Sequence, residues 1–367
     1  MTLLEKYQQD IQTSGFQYDK VQAQAIERLE RLQRELTNYQ DTPAPSRSLW
    51  QRVTGQSVEP TPAPKGIYFW GGVGRGKTYM MDLFFDALET PRKQRLHFHY
   101  FMYHVHQSLD ELNDTVDPLD VVAAQFKQRV DVLCFDEFFV SDITDAMILA
   151  TLVKALFAQG IVLVATSNIE PRGLYRNGLQ RARFVPAIDL IEQHCEIMNI
   201  DSGIDYRLRT LAQAEIYHYP LDTAARQNLE QYYHQLVNQE HSVTKSIAIQ
   251  RREIEVIAAG DGVLFASFKQ LCQSARSAND YIEMARVYHT VLLADVTVMD
   301  SKEESAARRF IALVDEFYER NVTLIMSAEV ALASLYQGQQ LTFEFERCCS
   351  RLIEMQSHDY LAREHLA

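Results

Sequence analysis

The sequence predicts an α/β fold in which a parallel sheet is covered by helices on both faces, and three features point to it. Short apolar runs without strict alternation, at residues 67–70, 130–135, 161–165 and 195–200, are separated by stretches of helical periodicity, the pattern of strands buried on both sides. A glycine-rich turn joins the first run to a helical stretch, the strand-loop-helix order of a phosphate-binding unit. A proline-dense segment sets this region apart from an N-terminal helix.

Taken in order, Val21, Ala25, Leu29, Leu32 and Leu36 recur at spacings of four, four, three and four and lay one apolar stripe on a helix. Glu27 with Arg31 and Glu30 with Arg34 stand four apart, acid before base, so the charged face reads as solvated. Pro43, Pro45, Pro60, Pro62 and Pro64 then mark a linker, giving an N-terminal helical segment and linker over 1–55. The core is placed at 56–210. It opens with the strand at 67–70, the glycine turn and a helix over 77–88 stopped by Pro91. A second strand is expected at 95–101, and Ser141 or Asp142 caps a helix that runs to Gln159 and leaves through Gly160. A polar, tyrosine-rich helical connector follows at 211–245, then a C-terminal α/β module at 246–367 with a strand pair at 247–249 and 254–258 and buried strands at 291–294 and 322–326.

An internal echo accompanies these elements: Leu152, Leu156, Leu163 and Tyr175 match Leu313, Phe317, Leu324 and Tyr336 at a constant offset of 161. Helix-then-strand units look alike, and the expectation is shared fold grammar rather than duplication.

At 367 residues and 47% apolar the chain can bury a large core. Its formal net charge of −13 argues against broad binding to nucleic acid or anionic lipid. Five cysteines without a CxxC pair suggest reduced thiols. The first residues lack a basic stretch followed by an apolar run, and no apolar stretch approaches the roughly 18 residues of a membrane span, so a cytoplasmic location is expected.

Gly71-Gly72-Val73-Gly74-Arg75-Gly76-Lys77-Thr78 fits G-x-x-x-x-G-K-[ST] between a strand and a helix. The glycines let successive N–H groups turn around phosphate oxygens, helped by the positive end of the helix. Lys77 would reach the β and γ phosphates, Thr78 would ligate Mg2+, and Tyr79 completes the nucleotide-binding stretch. Val132-Leu133-Cys134-Phe135-Asp136-Glu137 is an apolar strand ending in two carboxylates. Asp136 would hold the Mg2+ through water and Glu137 would accept a proton from the attacking water. The strand at 161–165 delivers Thr166-Ser167-Asn168, where the Asn168 amide could orient water or touch the γ phosphate. Arg172, Arg176, Arg181 and Arg183 cluster after it, and Arg183 or Arg181 is placed to reach a neighbouring subunit's γ phosphate. These parts together define an AAA+ P-loop ATPase core, and the lack of an N-K-x-D element favours ATP over GTP. His97, His99, His104 and His106 read as packed or hydrogen-bonded rather than as zinc ligands, with His97 and His99 sharing one strand face. Arg207 and Arg351 are candidates for a second sensor.

Three function classes share such a core: an ATP-driven remodeller of protein partners, a nucleotide-gated binding or adaptor protein, and a helicase-loader-like nucleic-acid ATPase, which the acidity makes unlikely.

The glycine loop with its helix, His97-Phe98-His99-Tyr100-Phe101-Met102, the Asp136-Glu137-Phe138 and Thr144-Asp145-Ala146-Met147 strings, and Ala165-Thr166-Ser167-Asn168 resemble the ZapE family of cell-division ATPases and the similar mitochondrial AFG-like ATPases. The likeness continues through Leu174-Tyr175-Arg176-Asn177-Gly178-Leu179-Gln180-Arg181, Asp205-Tyr206-Arg207, Asp280-Tyr281, Arg308-Arg309-Phe310-Ile311 and Ser350-Arg351-Leu352-Ile353-Glu354-Met355-Gln356, and covers most of residues 66–361. Arg75 departs from the pattern, which expects a smaller residue there. The resemblance implies an ATPase acting late in bacterial division, peripheral to the inner membrane, that engages the FtsZ ring. A homo-oligomer with an arginine supplied in trans fits the same picture.

Overall fold

The computed structural model describes residues 2–14, 18–41, 62–72, 74–112, 115–140, 142–201, 215–237, 244–249, 252–363 and 365–366. The chain divides into two compact units, Met1–Ile204 and Asp205–Ala367.

The first unit runs α1 (Leu3–Ser14), α2 (Lys20–Asp41), β1 (Gly66–Trp70), α3 (Lys77–Ala87), β2 (Lys93–His97), α4 (Phe98–Glu111), α5 (Pro118–Arg129), β3 (Val132–Asp136), α6 (Ile143–Ala158), β4 (Val162–Ser167), α7 (Arg181–His194) and β5 (Cys195–Asn199). Its strands form one parallel sheet in the order β2-β3-β4-β1-β5. Successive side chains leave a strand on opposite faces, and both faces are apolar here. Tyr68, Leu133, Phe135, Leu163 and Ala165 meet α4 to α7 in one core, while Ile67, Phe69, Val132, Cys134, Val162 and Val164 meet α1, α2 and α3 in the other. Burial on both sides is why these strands read as continuous apolar runs.

Helix α2 buries Ala25, Leu29, Leu32 and Leu36 as its stripe requires, and each fully buried leucine is worth about 1.5–3 kcal/mol. Glu30 and Arg34 pair at 2.8 Å. The charged face is not solvated throughout, however. Arg28 is buried and pairs with Glu196 on β5, which Arg31 also approaches at 3.4 Å. The second strand also ends earlier than expected, because Phe98, Phe101, Met102 and Val105 are buried at helical spacing and start α4 at Phe98. His97 and His99 therefore lie on a strand and a helix and share no strand face. Asp142 caps α6 by accepting from the N–H groups of Thr144 and Asp145, and Gly160 leaves it at φ 69°.

The second unit contains β6 (Tyr217–His218), α8 (Thr223–Leu236), β7 (Thr244–Ile249), β8 (Arg252–Gly260), β9 (Val263–Ser267), α9 (Ala278–Val287), β10 (Thr290–Val296), α10 (Glu304–Glu319), β11 (Thr323–Ala328), α11 (Thr342–Met355) and α12 (His358–Leu361). Its sheet has the order β6-β11-β10-β9-β8-β7, parallel from β6 to β9 and antiparallel beyond. The boundaries expected near residues 55 and 210 fall outside the described residues. The one at 245/246 falls inside β7, which opens two residues earlier, at Thr244.

The sequence echo extends to whole elements. Displaced by 161 residues, α6, β4 and the 3-10 turn Pro171–Gly173 become α10, β11 and the turn Leu332–Ser334, with unchanged lengths. Glu137 and Asp295, at the C-terminal ends of β3 and β10, both have φ in the left-handed region, 53° and 61°. Each donates its peptide N–H to a hydroxyl on the next strand, Thr166 in one unit and Ser327 in the other. The two hydroxyls keep the offset of 161 but the acids stand 158 apart, so the left-handed turns are a likeness of fold and do not overturn the expected coincidence. Where β1 continues into the glycine loop, β6 continues into Tyr219-Pro220-Leu221-Asp222, without glycine or lysine.

Candidate active site

Parallel pairing brings the C-terminal ends of β1, β4 and β3 to one edge of the first sheet. Trp70 is in register with Ser167, Phe135 with Ala165, and the Gly71 N–H donates to the Ser167 carbonyl at 3.3 Å. The glycine loop, Asn168 and the Asp136-Glu137 pair therefore leave the same edge, loop and carboxylates separated by one strand, or about 10 Å.

Gly74 and Gly76 have φ of 73° and 80°, a conformation that side chains resist. Lys77 opens α3, and its ammonium donates to the Gly71 and Gly72 carbonyls, each at 2.6 Å. Thr78 is half-buried on the first turn of α3. Val73 lies outside the described residues. Arg75, the departure noted in the sequence, pairs with Asp201 beyond β5 at 3.0 Å. The Tyr79 hydroxyl donates to Asp10 on α1 at 2.8 Å, which engages that side chain with the N-terminal helices.

Asp136 is buried and accepts a bidentate bond from Arg95 on β2, at 2.6 and 3.2 Å. The same guanidinium pairs with the buried Asp82 on α3. Burial would lower the Arg95 pKa, but the two carboxylates outweigh it and hold it above the ordinary arginine range. Sequence reasoning missed this triad. Its only signal was a charged residue in each of two segments expected to be buried.

Glu137 hangs from the left-handed turn after β3, its N–H fixed by Thr166 Oγ1 at 3.2 Å, and its Oε2 lies 4.0 Å from His97 Nδ1. Thr166 and Ser167 also hold the following loop, with Phe138 N–H donating to the Thr166 carbonyl and Ser167 Oγ donating to the Phe138 carbonyl, both at 2.7 Å. Asn168 is half-buried beside this knot.

The arginines are not equivalent. Arg172 pairs with Asp189 and Glu192 on α7. Arg181 donates to the Arg172 carbonyl at 2.6 Å, whereas Arg183 is exposed and bonds to Gln180 on its own turn. Arg351 belongs to the second unit, where Asp315 and Glu319 engage it, and Arg207 lies outside the described residues. His106 pairs with Asp145 at 2.7 Å.

Burial, with His97 adding its charge, pushes His99 down to about 3, and burial lowers His97 against the pull of Asp136. The unfolded chain takes up these protons near 6.5. The stability tied to the neutral rings is thus complete above about 6.5 and is lost as pH falls toward 3. Thermal melts at pH 7 and pH 5 should show a lower midpoint at pH 5, and His99→Gln should shrink that difference. An unchanged difference would assign the acid sensitivity elsewhere.

The oxygen donors Thr78 and Asp136 suit a hard cation such as Mg2+, and the loop's left-handed glycines, with Lys77 at the head of α3, suit a polyphosphate. A phosphate loop on a parallel sheet of order β2-β3-β4-β1-β5, with a carboxylate pair one strand away, defines a P-loop NTPase of the AAA+ class. Residues 1–364 match the AFG1-like ATPase family, and the chain belongs to it. It is similar to the cell division protein ZapE of Escherichia coli strain K12, at 52% identity over 375 residues covering 100% of this chain and 99% of that one. It is also similar to the lactation elevated protein 1 homolog B of Danio rerio, at 35% identity over 83% of this chain and 70% of that one. Among solved structures, AMPPCP-bound DnaA from Aquifex aeolicus aligns at 14% identity and a TM-score of 0.36, over 55% of this chain and 53% of that one.

Proposed function

We propose that this ATPase uses Mg2+-dependent ATP hydrolysis to remodel a protein partner in bacterial division, with the FtsZ ring as the target. The convergence of loop, Asn168 and Asp136-Glu137 on one sheet edge carries the catalytic part of this reading. Loop N–H groups and Lys77 bind the phosphates, Thr78 would hold Mg2+ directly and Asp136 through water, Glu137 takes the proton of the attacking water and Asn168 orients that water. Mg2+ bound there would neutralise charge on the phosphate oxygens. Arg183, exposed and bonded within its own turn to Gln180, is favoured over Arg181 as the residue offered to a neighbouring copy in a homo-oligomer. The name of the full-length relative supports the division role. The family resemblance adds cytoplasmic action with recruitment to the inner membrane at the division site. Among the described residues no helix is long and apolar enough to cross a membrane.

Two measurements test this. The ATPase rate per subunit should rise with protein concentration, and Lys77→Ala should lower it at least about 100-fold. Pelleted FtsZ polymer should decrease with the wild-type chain and ATP but not with Lys77→Ala. A concentration-independent rate would remove the trans arginine, and an effect on FtsZ that persists with a non-hydrolysable ATP analogue would leave a nucleotide-gated adaptor as the better description.

A further inference from the structure

The N-terminal helices carry no nucleotide motif, yet they bear directly on the phosphate loop. Gln22 on α2 is 6% exposed, and its Nε2 donates to the Arg75 carbonyl at 2.9 Å. A trans peptide is planar, with C=O and N–H pointing in opposite directions. Fastening the Arg75 carbonyl to α2 therefore aims the Gly76 N–H away from α2, where a phosphate cradled by the loop would accept it. Gly76 is itself matched to Gln22, since a Cβ there would sit 2.5 Å from Gln22 Nε2 in a residue already at φ 80°.

Gln22 is held in turn. The Tyr7 hydroxyl lies 3.3 Å from Gln22 Oε1 and accepts the Asp19 N–H at 3.1 Å, and Asp19 accepts from the Val21 N–H at 2.8 Å at the start of α2. Downstream of Lys77-Thr78, the Tyr79 hydroxyl donates to Asp10, which also pairs with Lys6 at 2.9 Å. The phosphate-binding residues are thus fastened on one side to α2 and on the other to α1.

We propose that Gln22 is a positioning residue for nucleotide binding and that the N-terminal helix pair is a brace built into the site, a reading that rests on the ATP site described above. The brace pre-orders the loop amides, so ATP does not spend binding energy on ordering them. Gln22→Glu keeps the side-chain volume but sets an acceptor against the Arg75 carbonyl, and Gln22→Met keeps the volume without a charge.

In the full chain, both variants should weaken binding of a fluorescent ATP analogue about tenfold and raise KM for ATP to match, with kcat within about twofold. Gln22→Met decides the matter if Gln22→Glu does not fold. Folded variants with wild-type affinity, or a fall in kcat at constant KM, would overturn the positioning role. Lys77→Ala separates the two readings: if it still binds the analogue as wild type does, the ATP-site assignment itself fails. If Lys77→Ala loses binding while both Gln22 variants keep it, only the brace fails.

Discussion

Glu137→Gln should bind ATP as the wild type does but turn it over about 10²- to 10⁴-fold more slowly, the range expected when a positioned general base is lost. The substitution is nearly isosteric. The anchor at this point is the main-chain N–H to Thr166 Oγ1, which survives the change, as do the Lys77 contacts and the Arg95–Asp136 pair. The loss should therefore fall on kcat and leave nucleotide affinity and melting temperature in place. Steady-state kinetics beside analogue titration measure this directly.

The backbone adds a second readout. Glu137 occupies a left-handed conformation that costs a residue with a side chain about 1–3 kcal/mol. Glu137→Gly should thus be at least as stable as the wild type while being as inactive as Glu137→Gln. Wild-type turnover by Glu137→Gln would instead move the base elsewhere, with His97, 4.0 Å away, as the side chain to examine.

What could be read from the sequence follows from how local each signal is. The loop, Lys77, Thr78, Asp136 and Glu137 lie within contiguous motifs, and β1, β3, β4 and β5 are apolar runs of ordinary length, so both were legible. The supports were not, because they are made by packing. Arg95 meets Asp136 across 41 positions and Asp82 across 13, and Gln22 meets Arg75 across 53. Sheet order and helix docking create these contacts, and no spacing rule encodes them. The end of β2 was misjudged because Phe98, Phe101 and Met102 continue an apolar run while already obeying a helical period. The stripe on α2 was correctly read as apolar, but its charged side hid Arg28, whose partner, Glu196, stands on β5. In the second unit, β6 has only two residues and offers too little pattern for any periodicity argument.

The triad beneath the carboxylates leads to the largest expected change in stability. Arg95 is 12% exposed as a side chain, against 4% for Asp82 and 11% for Asp136. Replacing it with methionine keeps much of the volume but removes the guanidinium that the two buried carboxylates share. Breaking a buried pair in this way costs about 3–5 kcal/mol, since the remaining charge keeps its desolvation penalty and loses its partner. Urea unfolding of Arg95→Met should show a midpoint lowered accordingly, with the slope unchanged. Adding Asp82→Asn removes one of the two like charges and should recover a large part of the loss, so the double variant should be more stable than Arg95→Met alone. Asp82→Asn by itself should cost less, because Arg95 keeps its bidentate bond to Asp136. If Arg95→Met proves too unstable to purify, the comparison of Asp82→Asn with the double variant still measures the coupling. Equal unfolding midpoints for Arg95→Met and the wild type would mean that the guanidinium does not hold these carboxylates in solution, and the orientation of Asp136 would then need another cause.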